Sequence, residues 1–458
     1  MLTRRGTALA AAVSLTLLAG ACGGSGDDGG SGATLKIATN AISGGKNGPQ
    51  ADWLQKWAIP NFVKAEKAKG VDVKVTFQPS GVDDEQYKTK LALDLQSGSG
   101  PDVFDIDGIW VGEFAQAGYV KPIDNVVKDS GAWDGWKQIP DSVQQLAAFQ
   151  DKRYGIPNGT DGRVLFYNKD LFKKAGLPET WQPTGWDDII RAGEKLKSVS
   201  GVTPIQLNAG TAMGEATTMQ GFLPVLAGTG EPIWADGKWT GATQGMKDAL
   251  GVYRKIYSEK LGDPLLQQEA QGRDKSFERF AQGRIGILME GDYFWRGVVN
   301  PDGGVAPMKN RDAVVGYAKI PAMAPGRGVN GQDFVSYSGG SVQTLNPRSK
   351  NPELAFELMK FLNSAEAVKS KLAGQAQITA RTDVNNEVLT KDPMLSFVAA
   401  DVLPLTSFRP PLAQYTQVST LLQEATAAVV GGTSPQAAAE EYAKKLEGAV
   451  GGADNIRS

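Results

Sequence analysis

Two stretches of the chain place carboxylates and aromatic rings directly after a short apolar run. The runs span residues 102–106 and 285–289, and each is too short for a helix, so both are predicted to be buried strands. The residues that follow them are Asp107 and Trp110 in the first stretch, and Glu290, Asp292, Tyr293, Phe294 and Trp295 in the second. In an open α/β sheet, small ligands bind in the crevice beyond the carboxyl ends of the strands. The two stretches therefore predict a ligand site that combines hydrogen-bond acceptors with flat apolar rings.

The first stretch also has a purely structural interpretation. Asp107 can cap the helix that contains Phe114, and Trp110 can lie in the core. Residue types alone leave both interpretations open.

Two further polar residues are candidates for the same site. Asn40 stands at the carboxyl end of the first predicted strand, so it is expected at the same edge of the sheet as Asp107. Arg409 lies on a loop bounded by prolines. A guanidinium on such a loop is free to form bidentate hydrogen bonds with vicinal hydroxyls or with a carboxylate.

The composition excludes several kinds of chemistry. The chain contains no histidine, which excludes histidine-activated nucleophiles, imidazole zinc sites and histidine phosphorelay. Cys22 is the only cysteine, so neither an internal disulfide nor a cysteine metal cluster can form. The net charge is −2, without the clustered basic excess that nucleic-acid binding needs. We therefore expect no metal, no cofactor and no nucleic-acid partner.

The start of the chain has the features of a leader and a tether. Arg4 and Arg5 precede an apolar run over residues 8–18, and small residues then lead to Cys22, which predicts a signal peptide over residues 1–21. Cys22 directly after the cut resembles a bacterial lipoprotein lipobox, and this resemblance implies that Cys22 is lipidated. A plain signal peptide that happens to contain a cysteine is the alternative. Residues 22–33, rich in Gly, Ser and Asp, are predicted to be a flexible tether.

The elements that would position the candidate residues are those of an α/β fold. Residues 35–38 and 71–77 are predicted to be strands, with a helix around Trp57 and Phe62 between them. Such a β-α-β unit predicts a parallel sheet with a right-handed crossover. Three later segments are predicted to cross between two lobes, at residues 156–160, 333–340 and 374–380.

Five segments, in their order and spacing, resemble one known family. They read DVFDIDGIWVGEFAQAGYVKPID over residues 102–124, RYGIPNGTDGRVLFYNKDLFKKAGL over 153–177, FAQGRIGILMEGDYFW over 280–295, NPELAFELMKFLNS over 351–364 and FRPPLAQY over 408–415. Together, and behind a lipobox, they are similar to the family 1 extracellular solute-binding proteins, the sugar-binding lipoproteins of bacterial ABC importers, in their actinobacterial style. The resemblance covers nearly the whole chain after the tether.

The resemblance implies a fold and a set of contacts. The fold would be an α/β, two-lobed periplasmic-binding-protein-like fold with three hinge crossings. Lobe 1 would span residues 34–157 and 338–373, and lobe 2 residues 158–337 and 374–458. The ligand-binding residues implied by the resemblance or by the pattern are Asn40, Asp107, Trp110, Asn158, Asp161, Tyr293, Trp295, Gly340 and Arg409. Ser341 stands where many relatives carry tryptophan, so no stacking ring is expected there.

The resemblance also implies a function. The protein would be the extracellular carbohydrate-binding component of an ABC importer and not an enzyme. It would close over a di- or oligosaccharide between its lobes and deliver it to the membrane permease. The implied location is extracytoplasmic, on the outer face of the cell membrane, with a lipid anchor on Cys22 and a monomeric chain.

Two other functions remain open from the residues alone. Asp107 and Glu290 are paired carboxylates that could perform acid and base roles in glycoside hydrolysis. The same carboxylates could neutralise a cationic solute. The alternative ligands are a peptide, a polyamine and a polyol phosphate.

Overall fold

The computed structural model describes residues 32–45, 47–82, 84–373 and 375–458. The predicted signal peptide, Cys22 and nearly all of the tether lie outside the described residues. No helix in the described part is both long and apolar enough to cross a membrane.

Strands and helices follow one another along the whole described chain. The strands are β1 (Ala33–Thr39), β2 (Val73–Pro79), β3 (Val103–Asp107), β4 (Ala148–Phe149), β5 (Lys152–Arg153), β6 (Gly155–Pro157), β7 (Arg163–Asn168), β8 (Thr203–Gln206), β9 (Trp234–Ala235), β10 (Lys238–Thr240), β11 (Ile285–Gly291), β12 (Val315–Ala318), β13 (Ile320–Pro321), β14 (Phe334–Ser338), β15 (Ser341–Leu345), β16 (Thr406–Phe408) and β17 (Ile456–Arg457). The α-helices are α1 (Gly48–Trp53), α2 (Ile59–Ala68), α3 (Asp84–Ser97), α4 (Val111–Gln116), α5 (Asp141–Gln144), α6 (Lys169–Lys174), α7 (Trp186–Leu196), α8 (Glu215–Thr217), α9 (Leu223–Gly228), α10 (Gln244–Ser258), α11 (Gly272–Ala281), α12 (Arg311–Val314), α13 (Pro352–Leu362), α14 (Ala365–Leu372), α15 (Thr382–Val388), α16 (Pro393–Phe397), α17 (Tyr415–Val430) and α18 (Pro435–Val450). Four π-helical segments extend or join them, at Leu54–Ala58, Thr218–Phe222, Phe294–Val298 and Val398–Val402.

Lobe 1 is built on a five-stranded sheet in the order β2-β1-β3-β15-β6. β1 runs parallel to both β2 and β3, with Ile37 opposite Phe77 on one side and Val103 on the other. This pairing confirms the predicted β-α-β unit, and α2 contributes the fully buried Phe62 to its core. β15 lies antiparallel between β3 and β6, so a strand from late in the chain completes the first sheet.

Lobe 2 is built on a four-stranded sheet in the order β12-β7-β11-β8. β11 is buried along its whole length and runs parallel to β8 and antiparallel to β7. The strand predicted at residues 285–289 is therefore confirmed, and it extends to Gly291. A further sheet, in the order β13-β14-β16, adjoins β7.

The chain passes between the two lobes three times. Residues 158–162 join β6 of lobe 1 to β7 of lobe 2, and residues 339–340 join β14 to β15. The chain leaves lobe 1 again after α14 and reaches β16, which pairs in parallel with β14. The two-lobed α/β fold with three crossings is thus the observed architecture.

The apolar core follows this division. One cluster of buried side chains surrounds Phe104 and Phe114 in lobe 1, and another lies in lobe 2 with α17 and α18. A third cluster includes Ile37 of β1, Phe166 of β7 and Val398 of the segment after α16. The lobes therefore share apolar packing as well as the crossings.

Candidate functional site

A cavity of about 320 Å³, which we name cavity 1, lies at the carboxyl edge of the lobe 1 sheet. The predicted site residues that line it are Asn40, Asp107, Trp110 and Gly340. A cavity of about 380 Å³, cavity 2, shares Asn47, Gln50, Asp105 and Ser341 with cavity 1. The two cavities therefore form one continuous depression, which runs from the edge of the lobe 1 sheet to residues of the first and third crossings. Four of the predicted residues meet at one end of it.

Asp107 ends β3 and begins the 3-10 turn Gly108–Trp110. Its Oδ1 accepts a hydrogen bond from the Ile109 N–H at 3.1 Å, so the residue caps that turn. The same oxygen lies 3.5 Å from Arg409 Nη2, and the side chain remains 39% exposed. Burial raises the pKa of Asp107, and the charge of Arg409 opposes that rise. Asp107 is thus both a cap and a carboxylate on the cavity wall.

Trp110 lies mostly in the core of lobe 1. The residue is only 6% exposed and belongs to the cluster around Phe104 and Phe114. Lys88 Nζ lies 5.8 Å from the centroid of its ring. The structural interpretation therefore describes most of the indole, and the surface left for stacking on a solute in cavity 1 is small.

Asn40 directly follows β1, at the edge of the sheet that the sequence predicts. Its Nδ2 donates to the Val82 carbonyl at 3.0 Å and to Asp84 Oδ1 at 2.9 Å. Its Oδ1 is buried and has no hydrogen-bond partner among the described residues. A buried acceptor without a partner costs about 1–3 kcal/mol, so a hydroxyl group that donates to Oδ1 would be stabilising.

Gly340 lies where the second crossing touches the first. Its φ is 149°, and a Cβ atom at this position would lie 2.1 Å from the Gly159 carbonyl oxygen. Only glycine permits this approach. The Gly340 carbonyl also accepts a hydrogen bond from the Gly108 N–H at 3.1 Å, which ties the crossing to the turn after Asp107.

Asn158, in the first crossing, lies on cavity 2. Its Nδ2 donates to Asp105 Oδ1 at 3.0 Å, and its backbone N–H donates to the Ser341 carbonyl at 3.0 Å. The side chain therefore lines the same depression as the residues of cavity 1, next to the residues that the two cavities share.

Asp105 is a site residue that the sequence analysis missed. It is buried in β3 and accepts hydrogen bonds from Gln50 at 3.0 Å and from Gln343 at 3.2 Å, in addition to Asn158. Burial raises the pKa of Asp105, and the charge of Lys371 and the amide hydrogen bonds oppose the rise. The sequence did contain a signal for Asp105, namely a carboxylate in the middle of an apolar strand. A buried carboxylate needs several hydrogen-bond donors around it, so polar neighbours could have been expected there.

Asp161, also in the first crossing, is held by an ion pair with Arg163 and by the Gly339 N–H, which donates to Oδ1 at 2.8 Å. Burial acts to raise the pKa of Asp161, but the charge of Arg163 and these hydrogen bonds bring it below its ordinary value. Arg163, which the sequence analysis missed, is itself buried and donates to Gln220 Oε1 at 3.0 Å. Asp161 is therefore a fixed negative charge at the point where the lobes meet.

Arg409 joins the two lobes through two carboxylates. Its Nη2 lies 3.5 Å from Asp107 of lobe 1, and its Nη1 lies 3.3 Å from Glu215 of lobe 2. Burial acts to lower the pKa of Arg409, but the charges of Asp107 and Glu215 outweigh it, so the guanidinium stays charged. Its Nε is buried and has no hydrogen-bond partner in the described part of the chain.

Glu215 is another contact that the sequence analysis missed. Besides Arg409, it accepts hydrogen bonds from the hydroxyl groups of Tyr415 and Ser419, each at 2.5 Å. The sequence around Glu215 gives no sign of this role, because the residues that it contacts lie about two hundred residues later in the chain.

Trp295 is not on an aromatic platform, and that prediction is wrong. The residue is 3% exposed and belongs to the cluster shared by both lobes. Its Nε1 donates to the two carboxylate oxygens of Asp392 at 3.0 and 3.1 Å, and the guanidinium of Arg311 covers its ring at 3.8 Å. The indole therefore has neither a free face nor a free N–H for a solute.

Tyr293, two residues earlier, has a different environment. It is 41% exposed, and the Arg296 guanidinium lies 5.6 Å from its ring centroid. Tyr293 does not line cavity 1 or cavity 2, so its contact with a ligand stays a prediction.

The carboxylates at the carboxyl end of β11 are bound to arginines. Glu290 is fully buried and receives two hydrogen bonds from Arg273, at 2.7 and 2.8 Å. Asp292 receives one from Arg296 at 2.9 Å. Glu290 is therefore unavailable as the partner of Asp107 in an acid and base pair. Among the described residues, no group of acidic, cysteine or histidine side chains could hold a metal ion.

Comparisons with known proteins give a consistent assignment. The sequence model of the family described as bacterial extracellular solute-binding protein matches residues 30–369. A galactooligosaccharide-binding protein of Bacillus subtilis is 25% identical over 96% of each chain. A maltooligosaccharide ABC transporter solute-binding lipoprotein of Streptococcus pneumoniae is 25% identical over 72% of this chain and 71% of its own. The sugar-binding protein MalE of Xanthomonas citri has the same fold, with a TM-score of 0.73, 18% identity, and coverage of 91% of this chain and 97% of its own.

Proposed function

This chain belongs to the bacterial extracellular solute-binding proteins, and we propose that it captures a di- or oligosaccharide and delivers it to the permease of an ABC importer. The observation that carries the proposal is the depression that cavity 1 and cavity 2 form together. Its wall combines hydrogen-bond donors and acceptors with some exposed indole surface of Trp110. A sugar presents apolar C–H faces together with a ring of hydroxyl groups that both donate and accept, so it needs such a mixed surface. The galactooligosaccharide and maltooligosaccharide named for two relatives support the same class of solute.

The lobes would close over the sugar by bending at the three crossings. Asp107 and Asn40 would hold it from lobe 1, and Tyr293 would meet it from lobe 2 when the lobes approach. Closure would bury these contacts together, so the sugar would bind the closed state more tightly than the open state. The difference between the two affinities would shift the protein toward the closed state. The lobe boundaries that we propose for this motion are residues 34–157 with 338–373, and residues 158–337 with 374–458.

The protein would act outside the cytoplasm as a binding component, not as an enzyme. We propose that Cys22 carries the lipid that holds the monomeric chain at the outer face of the membrane, with the tether before β1 giving it reach. Binding without hydrolysis is favoured because Glu290, the partner that the sequence suggests for Asp107 in an acid and base pair, is committed to Arg273.

A thermal unfolding panel tests the proposal. The purified chain without its leader would be melted alone and with neutral mono-, di- and oligosaccharides, a peptide and a polyamine. A solute at about 100 times its Kd adds about 2.7 kcal/mol to the free energy of unfolding, which for a chain of this size corresponds to a rise in Tm of about 3 °C. A rise with a saccharide supports the proposal. A rise only with the peptide or the polyamine, or hydrolysis of the saccharide, would contradict it.

A further inference from the structure

Lys371, in the last turn of α14, places a positive charge on the wall of cavity 2. Its Nζ makes no hydrogen bond or ion pair with any described residue, and it lies 5.8 Å from the centroid of the Trp53 ring. Among the described residues that line cavity 1 and cavity 2, Lys371 is the only lysine or arginine. The ammonium of Lys371 is therefore available to a bound molecule.

The nearest carboxylate does not need this ammonium as a hydrogen-bond partner. Asp105 is already bound by three amide groups, from Gln50 at 3.0 Å, Asn158 at 3.0 Å and Gln343 at 3.2 Å. Burial lowers the pKa of Lys371, and the charge of Asp105 opposes that change. An anion that reached Nζ would form a charge-assisted hydrogen bond that nothing in the described protein now supplies.

We propose that cavity 2 binds the carboxylate of an acidic saccharide and that Lys371 selects this group. The inference rests on the proposed sugar-binding function and assigns its solute to the uronic acid class. Cavity 1 would hold a neutral ring, and the shared residues Asn47 and Ser341 would allow one solute to extend from cavity 1 into cavity 2.

The charge at the site favours a carboxylate over a phosphate. A single ammonium balances one negative charge, and the buried Asp105 repels any anion placed beside it. The second charge of a phosphate monoester would be repelled by Asp105 without a second cation on this wall to balance it. A monoanion is therefore the better match.

The test measures selectivity between an acid and its neutral ester. Calorimetric titration of the purified protein would compare disaccharide uronates of gluco, galacto and manno configuration with their methyl esters, and would include a phosphorylated disaccharide. We expect at least one uronate to bind about tenfold or more tightly than its ester, since a hydrogen bond to a charged group contributes about a tenfold or larger change in affinity.

Three variants locate the effect. Lys371→Gln removes the charge and is expected to reduce the ratio of ester Kd to acid Kd to about one, whereas Lys371→Arg keeps most of it. Lys369→Gln is the matched control, because Lys369 lies on the same helix but pairs with Glu387 at the surface, and its ratio should not change. Thermal unfolding of each variant would verify that it folds. If Lys371→Gln does not fold, the comparison of acid and ester on the wild-type protein still decides whether the site selects an acidic saccharide.

Each other outcome overturns the inference. If neutral saccharides bind and no uronate binds more tightly than its ester, cavity 2 does not select an acid, while the proposed sugar-binding function stands. If the phosphorylated disaccharide binds more tightly than every uronate, the carboxylate class is wrong. If no saccharide binds at all, the proposed function fails and this inference fails with it.

Discussion

Replacement of Arg409 with methionine removes the charge that joins the lobes and keeps an unbranched side chain in its place. The two carboxylates that it contacts are each 39% exposed, so each ion pair contributes about 0.5–1 kcal/mol to the free energy of unfolding. Neither carboxylate is left without a partner, because Asp107 keeps the Ile109 N–H and Glu215 keeps the Tyr415 hydroxyl. We expect the unliganded Arg409→Met protein to lose about 1–2 kcal/mol of unfolding free energy, which lowers the Tm of a chain of this size by about 1–2 °C.

Solute binding should suffer more than stability. If Arg409 donates one charge-assisted hydrogen bond to a sugar, its loss costs about 1.5–3 kcal/mol and weakens binding about 10–150-fold. Scanning calorimetry without solute and titration calorimetry with the sugar that the panel identifies measure the two effects separately. Arg191→Met is the matched control, because that guanidinium side chain is 65% exposed and pairs only at the surface with Asp188. It should change the free energy of unfolding by less than about 0.5 kcal/mol and leave binding unchanged.

Two results would refute this reasoning about Arg409. A loss above about 4 kcal/mol without solute would show that the guanidinium is a structural element of the core and not a contact between lobes. An unchanged affinity in a folded Arg409→Met protein would show that the guanidinium does not touch the sugar.

Three further predictions concern the residues around the site. Trp295→Ala should lower the free energy of unfolding by about 3–5 kcal/mol in denaturant titration, since it removes a buried indole; an unaltered midpoint would contradict the core position. Gly340→Ala should cost at least about 1–3 kcal/mol by the same assay, because its Cβ would meet the Gly159 carbonyl; a neutral result would mean that the two crossings separate easily. Asp161→Asn tests pH dependence. The pKa of Asp161 in the folded protein is below its ordinary value of 3.8, so the charged side chain contributes its full stabilisation above pH 3.8. This stabilisation is lost as the pH falls through the pKa of the folded protein. The difference in unfolding free energy between wild type and Asp161→Asn should therefore shrink from pH 6 to pH 3, and a constant difference would exclude this role.

The local part of the fold could be predicted from the sequence. Strict alternation over residues 71–77 and the short apolar run at 285–289 are signals carried by neighbouring residues, and both correspond to strands, β2 and β11. The insertion of β15 between β3 and β6, and the pairing of β16 with β14, depend on contacts between segments far apart in the chain. Alternation gives no partner for a strand, so these pairings could not be predicted from it.

The site shows the same limit. Asn40 and Asp107 could be placed at the edge of the sheet because the position of a residue at a strand's carboxyl end is a local property. The direction in which a side chain points beyond that end is not a local property. Trp295 lies in the π-helical segment Phe294–Val298, which turns its indole inward to Asp392, a partner 97 residues later. Arg163 and Glu215 were missed for the same reason, since their partners are brought close only by the complete fold.

The polar groups described for the candidate site differ in what a solute can gain from them. Asp161 and Glu290 already have arginine partners, so a hydroxyl that approaches either must replace or share an existing hydrogen bond, and the net gain is small. Asn40 Oδ1, Arg409 Nε and Lys371 Nζ have no such partner among the described residues, and a solute group that reaches one of them relieves a desolvation cost already present in the free protein. Affinity should therefore depend on the paired residues mainly through the shape that they hold. Discrimination between solutes should depend on the three unpartnered atoms, because a solute that lacks the complementary acceptor or donor leaves that cost in place.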